Sequence, residues 1–88
     1  MRAEFRGKKY RILRPKRINK DDLGLCDSPT MKRPAIRLRK DQRGVNLLCI
    51  ALHEALHACL WDLAEEAVED ISSDIARFLH DLGFREIG

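Results

Sequence analysis

The sequence has no long unbroken apolar run, no low-complexity tract, no internal repeat and no cysteine framework. Its longest apolar stretch, around residues 45–61, is interrupted by His53, Glu54 and His57. That stretch is too short and too polar to span a bilayer. The basic opening segment, MRAEFRGKKYRILRPKR, lacks the apolar core of a secretory signal, so no membrane role is expected. Three cysteines, Cys26, Cys49 and Cys59, are an odd number without disulfide spacing. They suit reduced thiols in a cytosol. What is present is a globular composition, 44% hydrophobic and 35% charged over 88 residues. It suffices for one small domain spanning 1–88, with one modest core.

The net charge of +3 conceals a strong asymmetry. Residues 1–44 carry fifteen Lys/Arg against five Asp/Glu, and residues 45–88 carry two against nine. A basic half of this kind can track nucleic acid or steer an acidic partner. The simpler reading packs the two halves together and leaves the surplus cations as a solvated face, because no nucleic-acid motif accompanies them.

Three segments of the basic half carry strand signals. YRILRPKRI (10–18) is partly β-branched and interrupted by Pro15, which reads as an edge strand or two pieces. NKDDLGLCDSP (19–29) is turn-rich, with room for a short strand around Leu23, Leu25 and Cys26. AIRLRK (35–40) alternates apolar and basic residues, the pattern of a half-buried strand. From Val45 the period becomes helical and persists to about residues 60–62. Asp62 and Glu65 have capping-box spacing and predict a second helix over 64–83. Its expected apolar stripe is Ala64, Val68, Ile71, Ile75, Leu79 and Leu82, with Ala67 and Phe78 beside it. Gly83 is the expected stop, after which Phe84 folds back on the last turn. The short connection makes the helices antiparallel neighbours. The expected fold is therefore α+β: a small two- or three-stranded antiparallel or mixed sheet within the basic region 1–44, then a helical hairpin formed by 45–62 and the acidic 64–83.

Within the first helix stands His53-Glu54-Ala55-Leu56-His57. Residues four apart share a helical face, so both imidazoles can meet one ion, and tetrahedral zinc suits such a pair. Glu54 is turned about 100° from His53, placed to take a proton from a metal-bound water. The alternative is two core histidines satisfied by hydrogen bonds and a surface glutamate. Burying two imidazoles and a carboxylate together is costly without a common partner, which favours the metal. The five-residue pattern needs a third ligand. The extended form HExxHxxGxxH fails, since Leu60 and Leu63 occupy its glycine and third-histidine positions, and the inverted order HxxEH is absent. His80 lies 23 residues beyond His57, where a surface position is expected. What remains is the acidic run AEEAVED at the start of the second helix.

With HEALH followed by that acidic helix, the segment from AIRLRK to LGF resembles the glutamate-type zinc metallopeptidases, the gluzincins. It is similar in particular to small phage and bacterial members, with ImmA/IrrE-like and SprT-like proteins as more distant relatives. The resemblance implies a zincin-like minimal core, a Zn2+ cofactor held by His53 and His57, Glu54 as general base, and a ligating glutamate on the second helix. A ligand should border the stripe that faces the first helix. At about 100° per residue Glu65 lies just beside that stripe, Glu69 further round and Glu66 nearly opposite. Glu65 is thus the expected third ligand, with Glu69 and Glu66 as alternatives. Three features depart from the family or compete with the assignment. Glu69 stands where the family often has Asp or Asn, the connection from His57 is short, and Glu65 is also the capping-box carboxylate.

Cys49 shares the face of His53, but a small buried thiol is its expected state. Cys26 is a remoter candidate for the same site. Tyr10 and nearby arginines are candidate electrophiles without supporting spacing. In the family a sheet edge beside the cleft pairs with extended substrate. Assigned to AIRLRK, that role gives Arg37 and Arg39 a basic rim favouring acidic peptides, unless these arginines are simply solvated. The resulting expectation is a metallopeptidase acting on a protein or peptide inside the cell. The alternative is a non-catalytic basic module holding nucleic acid or a regulatory protein. So short a chain has little material for a second cleft wall, so a homodimer or a cognate partner is its expected source.

Overall fold

A tight turn starts the fold. In the computed structural model, which describes residues 1–19 and 21–87, strands β1 (Arg2–Phe5) and β2 (Lys8–Leu13) form an antiparallel hairpin. The two linking residues both have positive φ, Arg6 at 52° and Gly7 at 82°, the backbone that matches strand twist in a two-residue connection. Strands β3 (Gly24–Cys26) and β4 (Ala35–Leu38) complete a mixed sheet of order β1-β2-β4-β3. Strand β2 runs parallel to β4, and β4 antiparallel to β3.

The sheet has four strands, one more than expected, because β1 is contributed by the opening residues. Strand β2 is also internal rather than an edge. It ends at Leu13, two residues before Pro15, so the missing N–H of proline falls outside the ladder. Likewise β4 is central, and β3 is the edge strand on that side.

Alternation sorts the side chains between the two faces of the sheet. Tyr10, Ile36, Leu38 and Cys26 face helix α1 (Gly44–Cys59) and form the core with Ala58, packed against Phe5, Ile12, Leu47, Ile50 and Ala51. Arg14 sets the approach to α1. Its Nε donates to the Leu38 carbonyl at 3.0 Å and its Nη2 to that of Gln42 at 3.0 Å. No side chain of the preceding loop caps α1. Glu86 does so from the far end of the chain, accepting from the Gly44 N–H at 2.8 Å and pairing with Arg43. These contacts hold its carboxyl below the usual range, the Gly44 N–H first and Arg43 second.

Helix α2 (Glu65–Leu82) packs on α1 and touches no strand, so α1 lies between the sheet and α2. Ala64 occupies the N-cap position without a side-chain bond, and the expected Asp62–Glu65 capping box does not form. Gly83 ends the helix at φ 107°, as its left-handed conformation allows. The Phe84 N–H returns to the Leu79 carbonyl at 3.1 Å, while its ring stays exposed. The buried line of α2 is Val68, Ser72 and Ala76. Of the expected stripe, Ile71, Ile75 and Leu82 are exposed, as is Phe78 beside it. Among the described residues no helix is long and apolar enough to cross a membrane.

Candidate metal centre

The apolar period of α1 turns Leu47, Ile50 and Ala51 to the sheet, and the same helical geometry presents His53 and His57 beside them, toward α2. The two Nε2 atoms are 3.2 Å apart. Glu65, the first residue of α2, reaches both, with Oε1 at 2.9 Å from His53 Nε2 and Oε2 at 3.0 Å from His57 Nε2. Because no capping box forms, this carboxylate is free to face the imidazoles. One ligand atom from each of the three residues falls within 4.8 Å of the others. Donors around tetrahedral zinc at the usual Zn–N length are separated by about 3.3 Å. The observed edges therefore fit a small divalent ion with two nitrogens and a carboxylate oxygen.

Glu69 is four residues further along the same face. Its Oε2 lies 3.3 Å from His53 Nδ1, the ring nitrogen turned away from the cluster. A carboxylate there fixes the ring orientation and leaves Nε2 free as a donor to an ion. Glu66 is exposed and outside the group.

Glu54 is only 7% exposed. It fits against β3 because residue 24 is glycine: a Cβ there would lie 2.8 Å from Glu54 Oε2 and 2.7 Å from Ile50 Cγ2. Burial raises the Glu54 carboxyl to about 7, with further contributions from Glu65, Asp22 and Glu69. The carboxyl sits in a cleft of about 560 Å³ lined also by Asp22, Gly24, Leu25, Cys26, His53, His57, Trp61, Leu63 and Glu65.

Asp22 and Trp61 were not singled out from sequence. Trp61 follows α1, half-exposed, with its ring edge-on to His57 at 6.3 Å. Its position right after an apolar helix was the only available signal. Asp22 sits in the turn before β3, and its place in the cleft depends on how that strand packs against α1.

The remaining candidates lie elsewhere. Cys49 pairs with Ser73 at 3.7 Å. Cys26 lines the cleft but stays outside the ligand group, its thiol pushed up to about 12, chiefly by burial. His80 is near the far end of α2, half-buried rather than on the surface. Tyr10 is fully buried in the core, edge-on to Phe5, and its hydroxyl donates to the Asp27 carbonyl at 3.4 Å. Its burial raises the phenol to about 12. It is a packing residue, not a wall of the cleft.

The arginines of AIRLRK make no basic rim. Arg37 points to the sheet face opposite α1 and is paired with Asp27 at 2.9 Å, while Arg39 is paired with Asp41. The strand bordering the cleft is β3, and the charged groups facing the cleft are acidic. No family model matches the chain, and neither a curated protein nor a solved structure does.

Proposed function

We propose that the chain is a zinc-dependent peptidase, hydrolysing peptide bonds with His53, His57 and Glu65 as ligands and Glu54 as general base. The observation that carries this reading is the convergence of two imidazoles and a carboxylate beside a buried carboxyl. Bound there, a zinc ion supplies a water acidified to near neutral pH and an electrophile for the peptide carbonyl.

The protein's own groups do the rest. Glu54 accepts the proton of the attacking water and passes it to the leaving amine. Glu69 orients His53 through Nδ1. On this reading the free edge of β3, at Gly24–Cys26, takes the substrate-pairing role expected of AIRLRK and offers main-chain groups to an extended peptide. Trp61 and Leu63 separate this cleft from a neighbouring concavity of about 630 Å³, which suits the side chain of a bound peptide.

Metal content and turnover test the reading together. Purified protein should hold one zinc per chain, lost in the double variant His53→Ala, His57→Ala. A wild-type protein without stoichiometric zinc, or a double variant that keeps it, refutes the site. Glu54→Gln should retain zinc and lose turnover, and full activity in that variant refutes the general base.

A further inference from the structure

The face of the sheet turned away from α1 carries a cationic concavity that the peptidase reading does not use. Alternation along β1 and β2 puts Arg2, Lys9 and Arg11 on that face, opposite the buried Tyr10 and the half-buried Ile12. Lys32 and Arg33, from the loop before β4, close over them. The resulting hollow, about 200 Å³, is lined by these five cations together with Tyr10 and Pro34. No carboxylate lines it, and among the described residues none of the five cations is in a salt bridge. Glu4 pairs in register with Lys9 on the same face but does not line the hollow.

The floor is built rather than incidental. Arg11 Nη2 donates to the Arg33 carbonyl at 3.0 Å, while its Nε is buried and has no hydrogen-bond partner. The acidic residues of the second half do not neutralise this face. Helix α2 touches no strand, and the single ion pair joining the halves among the described residues is Arg43–Glu86.

We infer that this face binds the phosphate backbone of double-stranded nucleic acid. Three features select that partner. Five unpaired cations on one face match a polyanion, whose binding is driven by counterion release and needs no apolar anchor. A protein partner would need such an anchor, and the two linings that are not cations, Tyr10 and Pro34, are fully buried. Single strands bind through aromatic stacking, and no aromatic ring is exposed here. Phe5 and Tyr10 face α1, Trp61 borders the cleft, and Phe78 and Phe84 lie on or beyond α2. Binding is therefore indifferent to sequence, since backbone contacts position without reading bases.

Fluorescence anisotropy with labelled duplex DNA over a salt series tests this. Wild type should bind with Kd about 10⁻⁴–10⁻⁶ M at physiological salt and a log–log slope of about −4.5, the value for five phosphate contacts. Removing metal with EDTA should change neither quantity, which separates this face from the cleft. The triple variant Lys9→Gln, Lys32→Gln, Arg33→Gln changes exposed residues only and should reduce the slope magnitude by about 2.7. A control that removes the same charge elsewhere, Lys16→Gln, Arg17→Gln, Lys40→Gln, should leave the slope nearly unchanged. Equal losses in both variants, tighter binding of poly-glutamate or single strands than of duplex, or binding abolished by EDTA would each overturn the inference.

Discussion

The open face of the sheet and the cleft beside α1 gather charge of opposite sign, and among the described residues only the first leaves its charged groups without an ionic partner. On the sheet, Arg2, Lys9, Arg11, Lys32 and Arg33 surround a hollow with no carboxylate. In and beside the cleft, Asp22, Glu54, Glu65 and Glu69 surround two imidazoles with no lysine or arginine among the lining residues. The difference lies in burial. The sheet's cations keep their heads near water over a solid core, where like charges cost little. Glu54 is taken out of water among other carboxylates, and its pKa rises to about 7 in consequence. An exposed cluster of one sign attracts a counter-charge over distance. Of the cleft's carboxylates only Glu54 is buried, while Glu65 and Glu69 stay exposed and turn their carboxylates to the imidazoles, a group that could hold a small cation at contact.

The largest effect is expected at Glu54. Glu54→Gln should lower turnover about 10²–10⁴-fold at saturating zinc, measured with the metal content confirmed unchanged. The same substitution should also separate the stabilities. Because the folded carboxyl is raised from about 4.5 to about 7, its favourable contribution is fully present below pH 4.5 and is lost as pH rises through 7. In metal-free protein, the stability of Glu54→Gln relative to wild type should therefore increase by about 2–3 kcal/mol between pH 5 and pH 8. Urea denaturation at the two pH values checks it, and a pH-independent difference refutes it.

Two smaller changes probe how the cleft is held. Gly24→Ala forces a methyl into Glu54 and Ile50 and should destabilise the fold by about 1–3 kcal/mol in thermal melts. Glu69→Gln should weaken zinc affinity about 10–100-fold, read by competition with a chromogenic chelator, while the fold stays intact. The smallest effect belongs to the sheet. Neutralising Lys9, Lys32 and Arg33 should move stability by less than about 0.5 kcal/mol, since among the described residues these exposed side chains hold no ion pair. A large loss would mean that they brace the fold.

Sequence legibility followed the range of the interactions involved. The strand at Ala35–Leu38, the helix carrying HEALH and the stop at Gly83 all read correctly because they rest on alternation, helical period and a left-handed glycine. The hairpin of β1 was missed because its turn, Arg6–Gly7, lacks the usual Asn-Gly or Asp-Gly pair. The stripe of α2 was misread for an instructive reason. Glu65 and Glu69 are turned toward the histidines, and at about 100° per residue Ser72 and Ala76 share that side. Those small residues therefore face α1, and Ile71, Ile75, Phe78 and Leu82 rotate into solvent. Hydrophobic periodicity alone had placed the larger apolar residues at the interface.

By itself the sequence determined that His53 and His57 share one helical face and that Glu54 is turned beside them, because the pitch of a helix fixes these relations locally. It determined too that cations crowd the first half and carboxylates the second. Only the tertiary structure decided that Glu65 spans both imidazoles while Glu69 takes the outer nitrogen of His53, that Gly24 makes room for Glu54, and that the two charged regions stay apart. Each of these depends on how segments distant in the chain are set against α1, and local residue spacing carries no record of that.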